Sequence, residues 1–263
     1  MQAGDEIPLD GGNVTPVVRV GNTVRRVPGP WSPAVHGLLD HLAGRGFDGA
    51  PRFLGFDAQG REILSFLDGE VGQYPLPAYM WSDAALTGAA RLLRRYHDAT
   101  LDFVPPPGAE WQMVYLDAAR HEVICHNDFA PYNVVYVAEQ PRAIIDFDLA
   151  GPGPRLWDLA YAAYRFVPLS YAADMRDLGL SDLAWQSRRL QLFCAAYGLA
   201  SAPGLLDMVA RRIAAMCALL ADRAASGDPA FRKMVDEGHL THYQRELAAF
   251  TEQQPALARL LGW

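Results

Sequence analysis

The most informative stretch of the sequence reads His126-Asn127-Asp128-Phe129-Ala130-Pro131-Tyr132-Asn133, and Ile144-Ile145-Asp146-Phe147-Asp148 follows it. The apolar run before the first stretch, Val123-Ile124-Cys125, predicts a short buried strand that ends in a loop. The loop carries a His-x-Asp sequence and an asparagine five residues after the aspartate. A second apolar run then ends at Asp146. Phosphoryl transfer from a nucleotide requires a carboxylate near the acceptor hydroxyl, and an amide with a second carboxylate to hold Mg²⁺ on the phosphates.

These two stretches resemble the catalytic loop of the aminoglycoside phosphotransferase family, within the wider protein-kinase-like group. The family pattern is His-Gly-Asp, four variable residues and Asn, followed by Ile-Asp, an aromatic residue and an acidic one. The resemblance covers nearly the whole chain in plan and is specific in motif from about Cys125 to Ala160. It implies transfer of the γ-phosphoryl group from ATP, with GTP as the alternative donor, to a hydroxyl of a small molecule. Mg²⁺ is the implied metal cofactor.

The order of predicted elements agrees with an α+β, protein-kinase-like fold of two lobes. We predict a small β-rich nucleotide-binding lobe at residues 1–67 and a larger, mostly helical catalytic and substrate-binding lobe at 68–263. Strands are predicted at 14–20, 23–27, 53–56, 62–67, 123–125, 134–137 and 143–147. Helices are predicted at 33–44, with Ser32 as its cap, and at 82–99, 157–166, 182–198, 203–226 and 228–250.

The composition limits the kinds of partner. With 23 basic and 30 acidic residues and a net charge of −7, the chain lacks a basic footprint, and we expect no nucleic-acid partner. No run of eighteen apolar residues predicts a membrane span, and the N-terminal residues do not resemble a secretory signal. Three scattered cysteines in apolar segments predict free thiols, so we expect a cytoplasmic protein. The sequence carries no indication of an oligomeric state.

Asp128 is the predicted catalytic residue, because it would orient the acceptor hydroxyl and take its proton late in a loose transition state. Asn133 would supply a neutral oxygen to Mg²⁺ and Asp146 a charged one, as this hard ion prefers. Asp146 follows an apolar run, so its carboxylate needs a partner or a metal. For Asp148 two interpretations stay open: a carboxylate near the metal, or a residue that ties its own loop together.

Two further residues around the loop, His126 and Asp158, are predicted to support it, and Asn127 departs from the family pattern. His126 is expected to pack and hydrogen-bond rather than react. Asn127 stands where the family has Gly, and asparagine is the best-tolerated substitute if that position needs a positive φ. Asp158, in a Trp-Asp-Leu-Ala sequence, matches a downstream family aspartate, which implies a hydrogen-bonding support of the catalytic loop.

The nucleotide side is predicted from the first strands. Gly11-Gly12-Asn13 could form the loop over the phosphates. Strand alternation puts Val24 and Arg26 on one face, so Val24 would contact adenine and Arg26 would reach the α- and β-phosphates, with Arg25 as the competitor. Ser65-Phe66-Leu67 is the hinge candidate that would offer backbone groups to adenine.

Two family features are missing on this side. The only lysine is Lys233, so an arginine has to stand in for the family's phosphate lysine. His36 lies where the family has a helix glutamate, so Arg26 must be positioned by another group. These departures support a nucleotide-binding regulator, or pseudokinase, as the alternative function.

The acceptor is not identified by the sequence. An aromatic and acidic wall on the later helices would suit a cationic substrate, although a solvated helix face explains the same residues. The residues of this predicted wall are Trp185, Tyr197, Asp207, Asp222, Asp236 and Glu237. The loop at 151–155 is short where protein kinases have a long activation segment, which favours a small-molecule acceptor over a protein.

Overall fold

The computed structural model describes residues 6–9, 17–169 and 182–263. An antiparallel sheet of five strands forms the first part of the molecule, in the order β1-β2-β3-β5-β4. The strands are β1 (Glu6–Pro8), β2 (Val18–Val20), β3 (Thr23–Arg26), β4 (Phe53–Phe56) and β5 (Glu62–Ser65). The Gly21-Asn22 turn joins β2 to β3, as its sequence predicts, because glycine readily adopts the positive φ of 59° found at Gly21.

One helix, α1 (Ser32–Gly44), follows β3 and contacts β4. Leu38, Leu39 and Leu42 form its apolar stripe and are completely or almost completely buried. The predicted cap is wrong: Ser32 is the first residue of the helix, and its hydroxyl accepts a hydrogen bond from the amide of Gly29 at 2.9 Å. The hydroxyl therefore stabilises the preceding turn rather than the end of the helix.

The second part of the molecule is mostly helical, with two small sheets. Its helices are α2 (Asp83–Ala99), α3 (Arg155–Phe166), α4 (Leu183–Tyr197), α5 (Leu205–Ala225), α6 (Pro229–Asp236) and α7 (His239–Leu261). The first small sheet holds β6 (Glu70–Val71), β8 (Val134–Val137) and β9 (Gln140–Ile144). The second pairs β7 (Val123–Cys125) with β10 (Gly151–Gly153). The fold is thus α+β and protein-kinase-like in plan, whereas the division at residue 67 stays a prediction.

Helix α2 shows why the helical lobe folds as it does. Ser82 caps it by accepting from the amide of Ala85 at 3.1 Å. Leu86, Leu93 and His97 recur at helical spacing and are fully buried. Helix α2 packs on α4, while α5 contacts both α3 and α7, so the core of the lobe lies among these helices.

Several element boundaries differ from the predictions. The helix predicted at 228–250 is two helices, because the chain reverses at Gly238 with a φ of 87°. The strand predicted at 143–147 ends at Ile144, since Asp146 adopts a positive φ of 62° that a strand cannot continue. The loop predicted at 151–155 contains β10 and the first residue of α3. None of the described helices could span a lipid bilayer.

Candidate active site

The loop that follows strand β7 holds the Asp128 carboxylate between two hydrogen-bond donors. The Tyr132 hydroxyl donates to Asp128 Oδ1 at 2.8 Å, and the Asn133 amide nitrogen donates to Asp128 Oδ2 at 2.8 Å. The same nitrogen also donates to the carbonyl oxygen of Asp128 at 3.0 Å. Residues Pro131–Asn133 form a short 3-10 turn, which folds both donors back over the aspartate. The amide oxygen of Asn133 is then the atom that could bind a cation.

The next loop is attached to the first through the backbone at Ile145. The amide of Ile145 donates to the carbonyl oxygen of Asn133 at 2.9 Å, and the ring of His126 meets the carbonyl oxygen of Ile145 at 3.0 Å. These bonds place Asp146 directly beside the asparagine. The three side chains that the sequence singled out for chemistry therefore come from two neighbouring loops.

The electrostatics of Asp146 indicate a site for a cation. Half of its side chain is exposed. Partial burial of the carboxylate and the charge of Asp148 nevertheless raise the pKa of Asp146 to about 7. A bound cation would remove this penalty by stabilising the charged form. Among the described residues no group of three or more His, Cys, Asp or Glu side chains forms a metal site. One carboxylate and one amide nevertheless suit Mg²⁺, which keeps several waters and takes its other ligands from phosphates.

Arg26, on β3, faces these carboxylates across the space between the five-stranded sheet and the loop after β9, which we call the cleft. It contacts acidic groups on both of these sides. Its guanidinium lies 2.6 Å from Asp148 Oδ1 and 3.7 Å from Asp146 Oδ1. Its Nε donates to the carboxylate of Glu62. Arg25 points to the other face of the sheet, where its Nε lies 3.9 Å from Asp57. Arg26, not Arg25, is thus the arginine that reaches the cleft.

Glu62 is the functional residue that the sequence analysis missed. It stands directly opposite Arg26 in the β3–β5 register, and its other oxygen contacts the ring of His36. Burial would raise the pKa of Glu62, but the hydrogen bond from His36 and the charge of Arg26 lower it. The carboxylate that the family places on a helix is here on a strand, with a histidine at the helix position. The signal was the pairing of β3 with β5, because residues directly opposite each other in an antiparallel pair share one face of the sheet.

Asn127 has a positive φ of 66° and uses all of its polar groups. Its side-chain oxygen accepts from the indole of Trp157 at 2.9 Å, and its side-chain nitrogen donates to the carbonyl oxygen of Leu149 at 2.8 Å. Its backbone carbonyl accepts from the buried guanidinium of Arg212. The side chain thus connects the loop of Asp128 to the loop that carries Asp146 and Asp148.

Asp158, in the first turn of α3, forms hydrogen bonds to the backbone of the same loop. It is fully buried, and it accepts from the amides of His126 at 2.7 Å and Asn127 at 2.8 Å. The ring of His97 on α2 meets it at 2.9 Å. Burial would raise the pKa of Asp158, but these donors lower it. The carboxylate therefore stays charged and orients two consecutive peptide groups beside Asp128.

The proposed adenine side is described only in part. Gly11, Gly12 and Asn13 lie outside the described residues. Val24 is partly buried opposite Leu64. At the predicted hinge, the amide of Ser65 donates to Arg52 at 2.9 Å and the amide of Phe66 donates to Asn22 at 3.0 Å. Both amides already donate to backbone carbonyl oxygens, so they are not free to bind a purine.

The predicted acidic and aromatic wall does not form around Asp128. The Tyr197 hydroxyl bonds to His97 and Arg155, and Trp185 lies against Arg189. The acidic members of the wall are exposed. The acceptor side instead presents tyrosines and one arginine, which the sequence analysis did not single out.

Comparisons with known proteins identify the family. Residues 109–193 match the model of the phosphotransferase enzyme family, APH. Trifolitoxin immunity protein from Rhizobium leguminosarum bv. trifolii is 39% identical over 201 residues, which are 74% of this chain and 75% of the relative.

Two solved structures share the fold. Amicoumacin kinase hAmiN, in complex with AMP-PNP, Ca²⁺ and Ami, has a TM-score of 0.62 and 12% identity over 89% of this chain and 88% of its own. The GDP complex of aminoglycoside 2′-phosphotransferase-IIIa has a TM-score of 0.62 and 15% identity over 97% of this chain and 94% of its own. The chain therefore belongs to the aminoglycoside phosphotransferase family of kinase-like phosphotransferases that act on small molecules.

Proposed function

We propose that this protein transfers the γ-phosphoryl group of ATP to a hydroxyl group of a small molecule. Asp128 orients the acceptor hydroxyl, Asn133 and Asp146 hold Mg²⁺, and Arg26 binds the phosphates. The observation that carries the proposal is the direct hydrogen bond from the Asn133 side chain to the Asp128 carboxylate. The backbone carbonyl oxygen of Asn133 in turn accepts a hydrogen bond from the amide of Ile145, the residue before Asp146. Acceptor, metal and phosphate groups would meet at this point.

Each of these residues performs a part of the transfer. The Asp128 carboxylate accepts the hydrogen bond of an incoming hydroxyl and takes its proton as the new bond to phosphorus forms. His126, Asn127 and Asp158 position that carboxylate through the loop backbone. Mg²⁺, when bound, neutralises charge on the phosphate oxygens. Arg26 supplies a permanent positive charge and a planar set of donors for the same phosphates.

The choice of donor rests on the relatives. A solved relative holds AMP-PNP, an adenine nucleotide analogue, and another holds GDP. We propose ATP as the donor and GTP as the alternative. The relative with 39% identity is named for immunity to trifolitoxin, which adds toxins with a hydroxyl group to the acceptors worth testing beside metabolites and antibiotics.

The alternative function, a catalytically weak regulator, loses part of its support. It rested on the missing lysine and on the missing helix carboxylate. Glu62 supplies a carboxylate to Arg26 from β5, so the charge pair that positions a phosphate-binding side chain is present in another form.

The test compares wild type with Asp128→Ala in a panel of metabolites and antibiotics. We expect wild type to release ADP in the presence of Mg²⁺ and the variant to lose about 10²- to 10⁴-fold in kcat, the usual contribution of a general base. Calorimetric binding of AMP-PNP is expected to stay within about twofold, because Asp128 faces the acceptor.

The matched control is Asp40→Ala, which removes an exposed carboxylate from α1. It is expected to keep the kcat of wild type. Wild-type turnover in Asp128→Ala would contradict the role of this residue. A regulator is indicated if wild type binds AMP-PNP but releases no more ADP than Asp128→Ala with any acceptor or with water.

A further inference from the structure

A cluster of four tyrosines surrounds Arg165 on the acceptor side of the cleft. The guanidinium carbon lies 5.3, 5.2 and 5.4 Å from the ring centres of Tyr74, Tyr132 and Tyr164. Its Nη2 donates to the Tyr74 hydroxyl at 3.2 Å. Tyr161, the fourth member, meets the Tyr132 hydroxyl at 2.9 Å. At these distances the rings stabilise a cation by their π faces.

This tyrosine cluster directly adjoins Asp128. The Tyr132 hydroxyl gives its proton to Asp128 Oδ1, so Tyr161 is the donor to Tyr132. One face of the Tyr132 ring supports Arg165, while its hydroxyl touches the catalytic carboxylate. Tyr74 is 43% exposed, so the cluster opens to solvent. An acceptor whose hydroxyl reaches Asp128 therefore has its remaining groups close to Arg165.

The charge of Arg165 is not neutralised by the described part of the chain. No carboxylate of residues 6–9, 17–169 or 182–263 lies within 4.0 Å of its guanidinium. Its Nε is buried and has no hydrogen-bond partner there. Among the described residues, two acids contact phenols of the cluster: Asp128 accepts from the Tyr132 hydroxyl at 2.8 Å, and the buried Glu246 meets the Tyr164 hydroxyl at 3.5 Å. Burial raises the pKa of Tyr132 and Tyr161, so the phenols stay neutral donors.

We propose that the acceptor of this enzyme carries a negative group, a carboxylate or a phosphate, which binds Arg165 while its hydroxyl faces Asp128. This inference rests on the proposed function and names the class of its substrate. The guanidinium offers charge-assisted hydrogen bonds that match the oxygens of either anion, and the Tyr74 hydroxyl, which accepts from Arg165, keeps its own proton for a further donation.

The same cluster argues against a cationic acceptor. Aromatic cages that recognise choline-like or amine groups bind the ligand cation between their rings. In this chain the rings already hold the cation of Arg165. A second positive charge there would be repelled, whereas a negative one would pair with a guanidinium that no carboxylate of the described residues neutralises. The proposed acceptor class therefore differs from the cationic substrate that was one of the two interpretations of the sequence.

The experiment measures binding of charge-matched alcohols to protein saturated with AMP-PNP and Mg²⁺. One set is glucuronate, glucose and glucosamine, and a second set is glycerate and glycerol. By titration calorimetry we expect the anion of each set to bind about tenfold more tightly than its neutral or cationic counterpart, the size of one charge-assisted hydrogen bond. Inorganic phosphate as a competitor distinguishes a phosphate site from a carboxylate site.

The decisive variant is Arg165→Gln, in which the preference for the anion is expected to fall to within about twofold. Arg165→Lys keeps the charge and is expected to keep the preference, so a variant that folds poorly does not decide the result alone. Arg188→Gln is the control, because it removes the same charge from an exposed position on α4 that pairs with Asp83.

The proposal is overturned if glucosamine binds as tightly as glucuronate, if neither anion binds at millimolar concentrations, or if the preference survives in Arg165→Gln. Failure of AMP-PNP to bind at all would instead contradict the proposed function. The two failures are therefore distinguishable in one set of titrations.

Discussion

Asn127 has a structural role that could not be predicted from its position in the sequence. From the sequence it is a tolerated substitute for glycine at a positive φ, and its φ of 66° agrees. The structure adds two side-chain hydrogen bonds, to Trp157 and to Leu149. The positive φ was predictable from the motif, but these partners were not, because they lie 22 and 30 residues away along the chain.

Asn127→Gly tests that role, because it keeps the backbone conformation and removes only the side-chain bonds. We expect kcat to fall about tenfold or more, because the Asp128 loop loses its connection to the loop that carries Asp146 and Asp148. The KM for nucleotide should stay nearly unchanged. Steady-state kinetics well below the melting temperature measure both quantities. Glu139→Gly, at an exposed positive φ of 62° in the β8–β9 turn, is the control and should keep full activity. Equal kcat in both variants would contradict the positioning role.

Arg26 and Arg25 are adjacent in sequence and differ in what they face. On the proposed function, in which Arg26 binds the phosphates, Arg26→Gln is expected to raise the KM for ATP about tenfold or more, whereas Arg25→Gln should stay within about twofold. Initial rates over a range of ATP concentrations provide the measurement. A similar rise in KM for both variants would show that neither arginine is specific to the phosphates.

At the level of elements, helices were more predictable than their ends. The stripe of α2 predicted its bounds to within one residue because local spacing alone determines which face is buried. The break between α6 and α7 was missed, although Gly238 marked it, since apolar residues continue on both sides. The tyrosine cluster was missed for a different reason. Its members come from a loop, a 3-10 turn and α3, and only the tertiary fold brings these elements together.

Gly238→Ala tests the break between α6 and α7. The position has a φ of 87° and open space around it, so alanine would suffer backbone strain rather than a clash. We expect the variant to lose about 1 kcal/mol of unfolding free energy. Gly44→Ala, in the last turn of α1 with open space and no positive φ, should instead be neutral or slightly stabilising. Urea denaturation of both variants gives the comparison, and equal effects would contradict strain at Gly238.

On the scale of the whole molecule, Asp158 connects three parts that are distant in sequence. It belongs to α3, bonds to His97 on α2 and accepts from the amides of His126 and Asn127. Its support of the catalytic loop was implied by the family motif, whereas the contact with α2 was not, because His97 lies 61 residues away. The two-lobed plan was likewise predictable from the order of elements. The contacts between the lobes were not, since they join side chains without a common local pattern.

Asp158 also predicts how stability responds to acid. Its pKa is lowered in the folded protein, so its contribution to the unfolding free energy is complete above its ordinary pKa of about 4 and is lost as the pH falls through the folded value. We expect Asp158→Asn to cost about 3 to 5 kcal/mol near neutral pH, as for other broken buried pairs. Urea unfolding at several pH values should show a flatter acid dependence in this variant. Asp222→Asn, at an exposed position, should retain the wild-type curve. A parallel acid dependence in Asp158→Asn would contradict the assignment.

The ion pairs of Arg26 affect how nucleotide binding should depend on ionic strength. Its guanidinium is the counter-ion of Asp148 and Asp146. On the proposed mode of binding, a magnesium nucleotide would give the arginine new anionic partners and would give Asp146 a metal. Binding is then an exchange of partners in which the local charge balance changes little. Because ionic strength weakens the pairs on both sides of this exchange, added salt should reduce nucleotide affinity less than it would at a site with a lone arginine.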